Sequence, residues 1–398
     1  MSEPPEQRGR APGRSPGRQP SRWAGRWAGT LAGALVGVLL VAGALWLRDA
    51  RAGDSFDLVR WELDTLPNRW LAVIAEPFRD EPDADAVIRA YFDLDPTDPA
   101  RADYENDLER IVEGRINQVL RDEGITARLS LPGSVFPPVD LELAISPQVL
   151  VTSPRSVIRR DRTELLRPDI DLDHALRIEE AATDEDTSAL VVPSGGVATY
   201  PAIISDRTSY AGMLRTSAHE WTHHYLAFYP LGFNYYDSGD LKAINETVAD
   251  IVGDEVASIV LDRWGDPTAV ELPVSPPPTQ PPQPSVDRAA VLRDLRLEVD
   301  ALLADGRIDD AERRMDEVRQ QLQDAGYYIR KINQAYFAWY GTYAARPDAT
   351  DPLGGYLREI RQRTGSLPAF LDEIRGWTSR RQVEDGLVDL GGTLQPPQ

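Results

Sequence analysis

The sequence predicts an α+β fold, mostly helical, and three observations carry that prediction. Apolar residues recur at helical spacing over 83–94, 101–125 and 241–265. Near residue 138 the period changes, and "VDLELAISPQVLVTSP" and "SALVVPSGGVATYPAIIS" (188–205) read as strands and turns. Proline clusters, at 132, 137 and 138 and again through "PVSPPPTQPPQPS" (273–285), punctuate the chain between these regions. With 398 residues there is enough chain to bury a substantial core and to form more than one folding unit.

Taken in order, residues 1–27 form an Arg-rich stretch with the composition of a disordered tail. Ala28 to Leu47 holds twenty residues without a charge, the length a helix needs to cross a bilayer core, with Trp23, Trp27 and Trp46 near its ends. Ala50-Arg51-Ala52 offers the small-x-small pattern of a cleaved signal, but the apolar run is longer than a signal core. A single-pass membrane anchor is therefore expected. Six arginines against two glutamates precede it, a net +4, so the positive-inside rule places the N-terminus in the cytoplasm and the body outside. Residues 48–135 should form a helical juxtamembrane region: a helix around Pro67 over 56–78, a second at 83–94 and a third at 101–125. Residues 136–270 hold the β-like stretches and two helices, 207–229, ending at Pro230 and Gly232, and 241–265, joined by a loop rich in Tyr, Asn, Asp and Gly. The Pro-rich stretch within 271–286 reads as a stiff, extended connection. In 287–398 a helical hairpin broken at Asp305-Gly306 runs into an aromatic helix. A further pair follows, with Ser366 as an N-cap, and then a frayed tail from Leu387.

Composition excludes several classes of function. There is no cysteine, hence no disulfide, thiolate ligand or thiol nucleophile. The net charge is -21, or -25 beyond the basic leader, and such a surface repels nucleic acid and steers basic peptides. Lysine occurs only at 242 and 331 while Arg, Ala and Asp abound, as in the proteins of GC-rich bacterial genomes.

Three of the four histidines lie in "AHEWTHHYLAF", residues 218–228. His219 and His223 are four apart, so on a helix both imidazoles project from one face and can share a cation. Glu220 follows His219 directly, placed to take a proton from a metal-bound water without being a ligand. A zinc ion needs a third protein ligand, which without cysteine must be His, Asp or Glu. "NETVAD" (245–250) supplies Glu246, 23 residues after His223, and Asp250 one turn further on the same face, placed to fix the tautomer of a ligand imidazole. His224 falls off the ligand face and reads as a packing residue; His174, among acidic residues, reads as a surface histidine. The five-residue motif alone arises by chance in unrelated chains, and the second motif is what makes it specific.

The two motifs together, His219-Glu220-Trp221-Thr222-His223 and Asn245-Glu246-Thr247-Val248-Ala249-Asp250, resemble the gluzincin superfamily of zinc metallopeptidases, whose thermolysin-like members carry HExxH followed by NExxxD. The resemblance covers about residues 195–262. It implies a zincin-like catalytic core with a small antiparallel sheet, one Zn2+ per chain held by His219, His223 and Glu246, and Asn245 and Asp250 around these ligands. It implies Glu220 as general base and a strand at 195–204 that binds the substrate backbone. It also implies a Tyr or His that steadies the oxyanion, for which Tyr236, Tyr336 and Tyr340 are candidates and Tyr235 a rival. The expected protein is thus a membrane-anchored metallopeptidase acting on peptides or proteins outside the cytoplasm. A non-catalytic, zinc-stabilised scaffold that binds an envelope partner is the alternative. Intact Glu220 argues against it, since a structural zinc site needs no base.

Overall fold

The computed structural model describes residues 53–58, 60–61, 83–125, 135–269, 286–341 and 351–395. Residues 54–398 make up one compact unit. The expected membrane span (28–47), most of the helix expected over 56–78 and the Pro-rich stretch 273–285 lie outside the described residues. Among those described, no helix is long and apolar enough to cross a membrane.

The architecture is α+β, mostly helical, with two small sheets of three strands. Helix α1 (Ala84–Asp93) starts where the Asp83 carboxylate accepts hydrogen bonds from the Asp85 and Ala86 N–H groups. Helix α2 (Ala102–Asp122) buries Leu108, Val112, Ile116 and Val119 on one stripe. Strands β1 (Leu141–Ala144), β2 (Gln148–Pro154) and β3 (Arg162–Leu166) follow, then α3 (Leu172–Ala182), β4 (Thr187–Pro193), β5 (Gly196–Val197) and β6 (Ala202–Ser205).

The first sheet has the order β3-β2-β4 and is antiparallel throughout. Strand β2 is buried on both faces rather than alternating. Val149 and Val151 turn toward one core with Leu190 and Val192, while Leu150 turns the opposite way with Val191, Ala189 and Leu166. Helix α3 covers the second face, and neither α3 nor β3 carried a strong sequence pattern. The second sheet has the order β1-β6-β5, with β1 parallel and β5 antiparallel to β6. It is therefore mixed, whereas the β3-β2-β4 sheet is a small antiparallel sheet as expected.

Three of the four sheet edges are covered. Helix α2 presents Glu109, Glu113 and Asn117, one per turn, and these accept from the N–H groups of Leu143 (2.7 Å), Leu141 (2.9 Å) and Val139 (3.3 Å) along β1. Four residues of helix rise about 6 Å and two residues of strand about 6.8 Å, so the two ladders keep step. Residues 55 and 56 pair with β3. Arg330, Lys331 and Asn333 donate to the Val191 and Ala189 carbonyls of β4. Among the described residues, the outer side of β5 pairs with no strand.

Helix α4 (Tyr210–Leu226) is capped by Ser209 and ends before Pro230 instead of at it. Pro230 opens a short helix, α5 (Pro230–Phe233), inside the expected loop. Helix α6 (Gly239–Trp264), capped by Ser238, runs beside α4 in the most extensive helix pairing among the described residues. Then come the hairpin α7 (Arg288–Ala304) and α8 (Ile308–Asp324), turning at Gly306 with φ 73°. The aromatic segment is not a continuation of α8. The chain turns over 325–333 and a separate helix, α9 (Gln334–Tyr340), starts at the Asn333 cap. Helices α10 (Leu353–Arg363), α11 (Leu367–Ile374, capped by Ser366) and α12 (Arg380–Asp389) complete the fold. The expected frayed tail is partly structured: Leu387 is buried in α12 and the Gln395 N–H donates to the Tyr356 hydroxyl at 2.8 Å.

One hydrophobic core joins α1, α2, α4, α6 and α10 to α12 with β1 and β6. A second joins β2 and β4 to α7, α8 and α9. The cleft with the two sequence motifs opens between these two bodies of packing.

Candidate metal centre

His219, Glu220 and His223 sit on α4, and Asn245, Glu246 and Asp250 sit on α6. The two helices approach closely at Gly253, where a Cβ would lie 2.8 Å from the Arg215 carbonyl oxygen and 3.3 Å from His219 Cβ. This contact brings the two motifs face to face.

His219, His223 and Glu246 each offer one donor atom, all within 4.8 Å of one another. His219 Nε2 and His223 Nε2 are 3.1 Å apart, and Glu246 Oε2 lies 3.6 Å from the first and 3.8 Å from the second. Three donors about 2.0–2.1 Å from one tetrahedral ion stand about 3.3–3.4 Å apart, so the triangle is the right size to hold a metal ion. The other imidazole nitrogens are taken. His223 Nδ1 lies 2.7 Å from Asn245 Oδ1, and His219 Nδ1 lies 3.1 Å from Asp250 Oδ1. Each of these oxygens accepts a hydrogen bond from Nδ1, so the two Nε2 atoms are the ones turned toward Glu246.

The electrostatics favour a cation at this point. Burial disfavours charge on His219, but its bonds to Asp250 and Glu246 outweigh that and push it up to about 10. Burial pulls His223 down. Burial works against the Glu246 carboxylate, yet the two histidines and Tyr235 hold it well below the usual carboxylate range. A field that holds a proton on His219 also attracts a metal ion. Glu220 is no member of the triangle. Burial, opposed by His219 and reinforced by Glu246 and Asp250, raises its carboxyl to about 7, where it can both take and give a proton.

Strand β5 passes directly over Glu220. A Cβ on Gly196 would meet Glu220 Oε1 at 2.6 Å, so glycine is what allows this approach. Gly195 to Thr199 line the cleft, which measures ≈ 730 Å³ and includes His219, Glu220, His223 and Glu246 in its wall. Two further depressions, of ≈ 970 and ≈ 690 Å³, share wall residues with it.

The tyrosine candidates separate clearly. Tyr235 donates its hydroxyl hydrogen bond to Glu246 Oε1, and its ring stands 6.1 Å from that of His223. Tyr236 lies at the mouth, 88% exposed. Tyr340 lines the two flanking depressions but not the one with the histidines. Tyr336 is buried in the core beneath β2 and β4, away from the cleft. His224 packs edge-on against Tyr200, and burial pushes its imidazole down to about 4. His174 is half-buried, with Nε2 3.2 Å from Asp54.

Arg160, Lys242 and Trp339 also line the cleft, without a motif to announce them. The Arg160 guanidinium lies over the Trp339 ring at 4.6 Å, and the Lys242 ammonium 5.3 Å from the Tyr235 ring centre. Burial, with Arg160 adding to it, lowers Lys242 to about 8. The rarity of lysine in this chain was the one available hint to Lys242.

No family model matches this chain, and no curated protein or solved structure matches it. What the site can do follows from its donors and its cleft.

Proposed function

We propose that this protein is a zinc-dependent metallopeptidase of the gluzincin type, anchored in the cell membrane by residues 28–47 with its N-terminus in the cytoplasm, that hydrolyses peptide bonds outside it. The observation that carries this reading is the convergence of two Nε2 atoms and one carboxylate oxygen, with Glu220 adjoining and an unpaired strand edge alongside. Two imidazoles and a carboxylate are a zinc donor set, in contrast to the all-oxygen sets of magnesium and calcium. Zinc bound by His219, His223 and Glu246 would supply a water of lowered pKa and polarise the scissile carbonyl.

The remaining work belongs to the chain itself. The outer edge of β5 receives the substrate backbone as an added strand, which brings the scissile carbonyl past Glu220. The Glu220 carboxylate takes the proton of the attacking water and delivers it to the leaving amine nitrogen. Tyr235 is the phenol nearest the donors, and its O–H, given to Glu246 in this structure, would serve the oxyanion by turning from that carboxylate, ahead of Tyr236, Tyr336 and Tyr340.

The test is to incubate the full chain, in mild detergent with zinc, with a mixed-peptide library and read the products by mass spectrometry. Cuts abolished by a chelator and restored by zinc support the proposal. No cuts from a chain holding one zinc would favour the scaffold reading instead.

A further inference from the structure

The geometry of the cleft points to a subsite for a substrate carboxylate, formed by Arg160 and Lys242. This inference rests on the peptidase reading and names a chemical feature of its substrate.

The depression beyond Tyr235 and Tyr236 carries an excess of cations that its own acids do not neutralise. Five basic residues line it, against Asp161, Asp240 and Asp351. The acids are already engaged: Asp161 with Arg159 at 3.7 Å, and Asp240 and Asp351 with Arg380 at 3.7 and 2.7 Å. Two of the bases are likewise engaged, Arg162 with Glu164 at 2.6 Å and Arg296 with Asp300 at 2.7 Å. Arg160 and Lys242 are left. Among the described residues neither side chain makes an ion pair or a hydrogen bond, and the Arg160 Nε and Nη2 atoms are buried without an acceptor.

Both residues line the metal-centre depression as well, so they stand at the junction between it and this arm. Trp339 under Arg160 and the two tyrosines beside Lys242 hold the cations in place by their ring faces and leave the N–H groups for another partner. Buried N–H donors without an acceptor, and two like charges lining one depression, are both unfavourable, and one carboxylate relieves both costs.

General surface charge cannot be the source of such a preference, because the chain carries -21 and repels anions at long range. The expectation that basic peptides are steered to the protein concerns the outer surface; this subsite selects at close range. Lys242 stands four residues before Glu246 on α6, a rise of about 6 Å, which matches about two residues of extended substrate. The carboxylate then belongs to the C-terminus of a peptide or to an acidic side chain, within about two residues of the cut bond.

The experiment measures binding separately from cleavage. The full chain carrying Glu220→Gln is loaded with zinc and titrated into fluorescent decapeptides by anisotropy. The peptides have a free or amidated C-terminus and Glu or Gln at interior positions. We expect carboxylate-bearing peptides to bind about tenfold or more tightly than their neutral counterparts. Arg160→Gln or Lys242→Gln should erase this preference, whereas Arg160→Lys and Lys242→Arg should keep most of it. A preference for the free C-terminus identifies the terminal carboxylate as the source, and a preference for Glu over Gln identifies the side chain. Equal binding of charged and neutral peptides, no binding of any, or a preference that survives both Gln variants overturns the inference. Cleavage by the chain with intact Glu220 is read in parallel. Cuts without carboxylate preference would leave the peptidase reading standing and remove only the subsite, while carboxylate-dependent binding without cuts would do the reverse.

Discussion

Asn245 and Asp250 decide which nitrogen of each histidine faces the cleft. Their oxygens lie 2.7 Å from His223 Nδ1 and 3.1 Å from His219 Nδ1, and without them either ring could turn or change tautomer. Asn245→Ala and Asp250→Ala should each weaken zinc binding by about 10–100-fold while the fold persists, as read by competition with a chromophoric chelator. His219, His223, Glu246 and Asp250 were legible because a helix puts positions four apart on one face, and Glu220 and Asn245 because each adjoins one of them in the two motifs. For the oxyanion role the sequence offered several tyrosines and no pattern to choose among them. Tyr336 and Tyr340 fit a helical stripe in sequence, but the turn at 325–333 starts a new helix and sends Tyr336 into the core under β2 and β4. Arg160, Lys242 and Trp339 come from three distant segments, and no local pattern records their meeting.

Strand β5 and helix α3 show how much a short element can carry. Gly196 lets β5 lie against Glu220, and Gly196→Ala would push the carboxylate aside by contact at 2.6 Å. A displacement of this size should lower turnover by about 100-fold while zinc content stays at the wild-type level, a split that steady-state kinetics and metal analysis together can read. On α3, Glu179 is 2% exposed and ties three segments together. It accepts from the Val191 N–H at 2.8 Å, from Arg330 Nη2 at 2.5 Å and from Lys331 Nζ at 3.2 Å. Burial raises its pKa, but these donors outweigh burial and hold the carboxyl below its ordinary range. A depressed native pKa means that its stabilisation is present above the unfolded value, about 4.3, and is lost as the pH falls through the lower native one. Acid unfolding followed by circular dichroism should therefore shift when Glu179→Gln is introduced: the variant is less stable at neutral pH, and its stability falls less between pH 5 and acid. Elements with a clear apolar stripe or a cap residue, such as α2, α6 and α11, could be read from sequence. Strand β3, helix α3 and helix α12 could not, because their apolar side chains are defined by what packs on them.

The described residues are organised around the cleft between the two larger of their three hydrophobic cores. The α4–α6 pair forms one wall together with the β5 edge, and the sheet carrying α9 forms the other. A metal ion that binds only the folded chain stabilises it by about 2.7 kcal/mol at a free concentration 100 times its Kd. Chelation should then lower the thermal midpoint, zinc should restore it, and Glu246→Ala should abolish the response. The α+β class and the pairing of the two motif helices were readable from periodicity and caps. The sheet order and the covering of three edges were not, since they depend on contacts between residues far apart in the chain.

The most direct measurement is made on the full chain with Glu220→Gln, assayed for zinc content and for peptide cleavage beside the wild type. Zinc at one per chain in both proteins, with cleavage in the wild type and none in the variant, is the result predicted. Cleavage by the variant at the wild-type rate would contradict the assignment of Glu220, and loss of zinc from the variant would contradict its separation from the three ligands.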